Sequence, residues 1–128
     1  MKFRYLCEIS KIQPSQFYIN KKKLAKCKEW IKSHEDIVIP IAVIGGRTVA
    51  LDGHTRLRMA LEMGFVDVYV ELEEHDKCYH FFVDETIKRG IKSVHDMETI
   101  SDADYEVKWN KFCKEYFENE EWDIHAKQ

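Results

Sequence analysis

Two prolines and five glycines in 128 residues leave little material for the Pro-, Gly- or Ser-rich tracts that make linkers and low-complexity segments, and none is present. No apolar run approaches the roughly 20 residues needed to span a bilayer, so no membrane association is expected. The opening MKFRYLCEISK interposes polar residues where a signal peptide needs an unbroken apolar stretch, which makes a cytoplasmic location the expectation. Four cysteines (Cys7, Cys27, Cys78, Cys113) are widely spaced and form no CxxC pair. That argues against a disulfide scaffold, and no structural metal is expected; reduced thiols packing as small hydrophobes are. A basic excess is also missing. The net charge is −3, and residues 76–128 carry 8 Lys and Arg against 13 Asp and Glu. A nucleic-acid partner is therefore disfavoured, since phosphate contacts need Lys and Arg.

Present instead is enough apolar material for a core: 45% hydrophobic and 12% aromatic residues, in a chain long enough for one domain. Alternation at Phe3, Tyr5 and Cys7 predicts a strand over residues 3–9, followed by a bend at QPSQ, where Pro14 fixes φ. Asn20 is placed to cap a helix over residues 21–33. Leu24, Cys27 and Ile31 form its buried face and Trp30 widens it. The lysines of this segment (Lys21, Lys22, Lys23, Lys26, Lys28) read as a solvated face. IVIPIAVIGGRTVAL predicts two strands joined at Gly45-Gly46, with Pro40 at the entry to the first. A helix over residues 54–63 ends at Gly64, and VDVYVEL makes a further strand with Val66, Val68, Val70 and Leu72 on one face.

From residue 76 the pattern turns helical. One helix is expected over 77–88 and another after Ser101, whose Ser101-x-x-Asp104 spacing suits a capping box. Tyr105, Trp109, Phe112, Cys113 and Tyr116 form its apolar stripe; as core it closes the domain, and exposed it would make a homodimer. The organisation is thus a core of residues 1–75 and a helical extension, 76–128, packed on it as one compact unit.

Chemistry concentrates between the second hairpin strand and the helix that follows, in Asp52-Gly53-His54-Thr55-Arg56. The first N–H groups of a helix lack intrahelical partners and sit at the positive end of its dipole, so they favour a phosphate. Gly53 allows close approach, Thr55 adds a hydroxyl, His54 an imidazole N–H and Arg56 a guanidinium fork. Asp52 cannot bind phosphate; a carboxylate there can hold Mg²⁺ or take a proton from a hydroxyl. The plainer reading is that Asp52 caps the helix and Arg56 and Arg58 are solvated. His75, Asp76 and His80 do not read as metal ligands, since His at i and i+5 do not share a helical face.

LDGHTRLRMALEMG resembles the signature of the ParB/sulfiredoxin-like superfamily, and ISKIQPSQFYINKKKLAKCKEWI with PIAVIGGRTVALDGHTR follows the order seen in ParB N-terminal-type domains. The segment GIKSVHDMETISDADYEVKWNKFC is similar to part of stand-alone bacterial ParB-like proteins. The resemblance implies an α+β fold, a small mixed sheet with packed helices, in which Gly53, His54, Thr55 and Arg56 line a nucleotide-phosphate pocket. ATP, ADP or CTP with Mg²⁺ would be the ligand, and Ser15 and Gln16 would lie near it. Sulfiredoxins carry a cysteine in this turn; His54 stands there instead, which argues against sulfiredoxin chemistry. The related free-serine kinases use the Asp of the motif, matched by Asp52, and a Glu shortly after the loop proline. Gln16 takes that Glu's place, and an amide cannot act as a base. Glu8 is the substitute carboxylate to consider. Three functions follow: a nucleotide-binding protein, a kinase acting on a small hydroxyl compound such as serine, or a DNA-associated or protein-interaction module using the lysine-rich helix.

Overall fold

The structure, a computed structural model, describes residues 3–126, and the side chains of residues 3–119. Its frame is a five-stranded mixed sheet, in the order β1-β6-β4-β5-β2. Strands β1 (Arg4–Glu8), β2 (Ile12–Gln13), β4 (Val38–Ile44), β5 (Arg47–Ala50) and β6 (Asp67–Leu72) compose it. β4 pairs antiparallel with β5 through the two-residue Gly45-Gly46 loop and parallel with β6; β1 closes one edge and β2 the other.

Both faces of the central strand β4 are covered, as its continuous apolar sequence requires. Ile39 and Ile41 point into the larger core with Leu57, Ala60, Val68 and Val70, all but invisible to solvent. Ala42 and Ile44 point the other way, onto Val83 and Ile87 of helix α3 (Cys78–Lys88). Helices α1 (Lys21–Trp30) and α2 (His54–Glu62) lie on the first face.

Helix boundaries follow local chemistry. The Asn20 side chain accepts the N–H groups of Lys22 and Lys23 at 2.9 and 3.2 Å and so caps α1. α2 ends in a Schellman closure. Gly64, at φ +81°, gives its N–H to Leu61, while Phe65 gives its own to Ala60, both at 3.0 Å.

Four expectations are corrected. α1 stops at Trp30 rather than Ser33; Ile31 turns extended yet stays buried, and Trp30 does not widen the buried face but stands half exposed. On β6 only Val68 and Val70 are buried, since Val66 precedes the strand and Leu72 ends it. Pro40 is the third residue of β4, not its entry. Its carbonyl accepts the Leu51 N–H, but it has no N–H to return, and the Leu51 carbonyl takes the Tyr79 hydroxyl at 2.9 Å instead. A hydroxyl from α3 thereby completes a ladder that the proline interrupts.

The segment expected to be purely helical also contributes a strand. β7 (Glu98–Ile100) pairs in parallel with β3 (Tyr18–Asn20), a two-stranded sheet of its own. Ser101 then caps α4 (Asp102–Tyr105) through the Asp104 N–H, and the helix continues through one wider turn, residues 106–110, into α5 (Lys111–Ala126). The aromatic stripe is core. Trp109 and Phe112 meet Phe17 at 4.8 and 5.1 Å between ring centres, and Phe81 stacks on Tyr116 at 4.2 Å.

Asn20 ties the small sheet to helices α1 and α4 at once, because its amide nitrogen also donates to Asp102 at 2.9 Å. An Asn20→Ala change is expected to lower stability by about 1–2 kcal/mol, through the lost cap and an unsatisfied buried contact, read by urea denaturation.

Candidate functional site at the start of helix α2

Asp52 and Gly53 carry the chain from the end of β5 into α2. Gly53 is the residue before the helix and sits at φ +78°, a left-handed conformation that L side chains avoid. The Arg56 guanidinium folds over it. A Cβ at Gly53 would stand 2.9–3.0 Å from Nη2, Cζ and Nε of Arg56. Glycine suits the turn by its positive φ, and a Cβ there would also push the Arg56 guanidinium aside. Arg56 is fixed there by Nη1, which donates to the Val38 carbonyl.

Asp52 does not cap the helix. Its Oδ1 accepts the N–H of Gly53 at 2.7 Å, and no side chain caps the N-terminus of α2. The N–H groups of His54, Thr55 and Arg56 belong to the first turn, so their partners lie outside the helix. The plainer reading fails for Arg58 also: it reaches the Met97 carbonyl rather than solvent.

His54 is the buried member. Its Nε2 accepts the backbone N–H of Ser15 at 3.0 Å, and the Ser15 hydroxyl donates to the Ala50 carbonyl at 2.6 Å. With Nε2 accepting, the proton of the neutral ring sits on Nδ1. That atom is buried and has no partner. Burial holds the imidazole neutral, with a pKa lowered from 6.5 to about 4; Asp52 nearby opposes the shift and Arg56 adds to it.

These residues line a cleft of about 210 Å³ together with Gln16, Lys23, Cys27, Trp30 and Tyr105. Of the residues singled out in the sequence, Asp52, Gly53, His54, Thr55, Arg56 and Gln16 all meet here, and Ser15 stands behind them. Glu8 does not. It ends the edge strand β1, with β6 and β4 between it and β5, and its carboxylate faces solvent beside Lys11 at 3.7 Å. Asp52 is thus the cleft's one carboxylate among the described residues.

Four walls escaped the sequence. Lys23, Cys27 and Trp30 stand at i, i+4 and i+7 of α1, the spacing of a single helix face. Lys23 leaves the lysine cluster to lie over the Tyr105 ring at 5.2 Å, whereas Lys28 pairs with Glu62 at 3.6 Å. Tyr105 comes from α4, at the far end of the chain. Its hydroxyl accepts from Gln16 at 3.4 Å, and burial raises its pKa to about 12, so it stays protonated. The i, i+7 relation of Lys23 and Trp30 was visible, but nothing local marks which face of α1 meets α2.

The rings of His75 and His80 approach to 5.6 Å, since His75 precedes α3 instead of lying in it and helical spacing does not govern the pair. Among the described residues no group of three or more His, Cys, Asp or Glu could hold a metal ion, and no helix is long and apolar enough to cross a membrane.

No protein-family model matches the chain, and no curated protein does. Among solved structures it is similar to protein Atu1540 from Agrobacterium tumefaciens, with 17% identity and a TM-score of 0.54. The match covers 77% of this chain, which spans 63% of that one. A likeness at that identity is one of fold, and the α+β class is common to both.

The depressed His54 pKa carries a pH signature. The unfolded chain takes up the His54 proton below pH 6.5, whereas the folded ring resists until about 4. Its contribution is complete above 6.5 and lost on acidification across that window, about 3 kcal/mol in all. Denaturant midpoints measured from pH 7.5 to 4 should show this fall, and a His54→Gln variant, although less stable, should lack it.

Proposed function

We propose that the cleft at the start of α2 binds the phosphates of a nucleotide. The observation that carries this reading is an uncapped helix N-terminus beside a buried His54 whose Nδ1–H lacks a partner. A neutral donor held in place, three backbone N–H groups, the Thr55 hydroxyl, Arg56 and Lys23 all favour the same ligand, an anion rich in acceptor oxygens. The resemblance of Asp52–Arg56 and its hairpin to ParB/sulfiredoxin-like proteins supports the reading, with ATP, ADP and CTP as the nucleotides to try. Mg²⁺ fits beside it, since that ion is commonly held by one or two carboxylates and the phosphates themselves, and Asp52 supplies one. The cysteines are free, which suits a cytoplasmic protein.

A second reading is favoured by the position of Asp52, exposed at the same cleft. In it the nucleotide's terminal phosphoryl group passes to a small alcohol. The alcohol oxygen bonds to phosphorus, the bond to the bridging oxygen breaks, the nucleoside diphosphate leaves, and the hydroxyl proton goes to the Asp52 carboxylate. Gln16 takes no part in the proton transfer, because its amide nitrogen donates to the Tyr18 carbonyl at 3.0 Å and to Tyr105.

Calorimetric titration with ATP, ADP and CTP in the presence of Mg²⁺ should give saturable binding. Absence of binding at millimolar nucleotide overturns the proposal. Arg56→Ala should weaken binding by about 1.5–3 kcal/mol through loss of a charge-assisted hydrogen bond. For the kinase reading, incubation with serine and related alcohols should yield the phosphate ester, and Asp52→Asn should abolish it; undiminished turnover in that variant removes Asp52 from the role.

A further inference from the structure

Trp30 is the feature of the cleft that phosphate binding does not use. The last residue of α1, it is 50% exposed although indole is the largest apolar side chain, and its ring has no aromatic or cationic partner among the described residues. The other aromatic side chain of the cleft, Tyr105, is engaged on both counts: Lys23 covers its ring and Gln16 its hydroxyl. Trp30 shares a helix face with Lys23 and Cys27, seven positions from the lysine, or about 10 Å along the axis at 1.5 Å per residue. The cleft is therefore polarised along α1, with an ammonium at one end, an uncovered indole at the other, and Arg56 with the α2 N-terminus on the opposite wall. A free inorganic phosphate would satisfy the cationic end and leave the indole idle. A ligand with an anionic end and a planar aromatic end, separated by about the span of a ribose and its phosphates, engages both.

Resting on the phosphate reading of the same cleft, we infer that Trp30 is the platform on which the base of the nucleotide stacks, so that the site selects nucleoside phosphates over bare polyphosphate. Stacking on a π-face tolerates any base, because every base presents one. The cleft should therefore discriminate weakly between purine and pyrimidine and strongly for the presence of a base.

The test compares ATP and CTP with inorganic tripolyphosphate, each with Mg²⁺, by calorimetry on the wild-type chain and on Trp30→Ala and Trp30→Phe variants. Trp30 is half exposed and lies at a helix end, and circular dichroism checks that both variants fold. The expected result is nucleotide binding at least tenfold tighter than tripolyphosphate binding in the wild type. Trp30→Ala should lose about tenfold for ATP and CTP and nothing for tripolyphosphate, and Trp30→Phe should recover part of the loss. Tripolyphosphate bound as tightly as nucleotide, or equal losses for all three ligands in Trp30→Ala, overturns the platform and leaves the phosphate site standing. Failure of all three ligands to bind the wild type overturns both.

Discussion

Ser15 gives its backbone N–H to Nε2 of His54 and its hydroxyl to the carbonyl of Ala50, both contacts shut off from water. These two bonds join the loop after β2, the end of β5 and the first residue of α2 at one point. They also set the proton of the imidazole, since a ring that accepts at Nε2 must carry its hydrogen on Nδ1. That contact makes Nδ1 the donor side of His54, while burial keeps the ring uncharged. Without Ser15 the histidine would be a buried polar group with two open nitrogens. With it, a single nitrogen, Nδ1, is left buried without a partner.

The second organising constraint is the exchange made at Pro40. A proline inside a central strand removes one ladder bond, and here the deprived Leu51 carbonyl is taken over by the Tyr79 hydroxyl. That contact docks α3 against the residue before Asp52, so the helix covering the far face of the sheet also steadies the turn that opens the cleft. The same helix also packs into both cores, Phe82 into the larger and Val83 into the smaller.

What was legible in the sequence was whatever a few adjacent residues decide. Asn20 and Ser101 announce helix starts, Gly64 an ending, Gly45-Gly46 a hairpin, and Asp52–Arg56 a helix opening with spare donors, because caps and turns are settled within four or five residues. What stayed hidden depends on distant pieces meeting. The three residues Glu98-Thr99-Ile100 carry too little periodicity to be read as a strand, and they become one only beside Tyr18–Asn20. Beside Cys27 and Ile31 in the periodic face Trp30 reads as core, yet it ends α1 half exposed. Tyr105 looked like stripe alone, and only the packing of α4 beside β3 brings it to the cleft. Nothing in the sequence places Glu8 at the cleft, and the strand order sets β6 and β4 between it and β5.

The parallel pairing of β3 with β7 bears on when the cleft comes into being. Asn20 and Asp102 are 82 residues apart in the chain, and Gln16 and Tyr105 are 89 apart. Synthesis proceeds at about 5–20 residues per second, so the hairpin and the Ser15 loop leave the ribosome several seconds before the segment that completes the fourth wall. During that interval the nascent sheet presents a helix start with no Tyr105 behind it and a Lys23 with no ring to lie on. The cleft is thus completed late, when the longest loops close, and contacts of such wide separation also set the pace of folding for the whole chain.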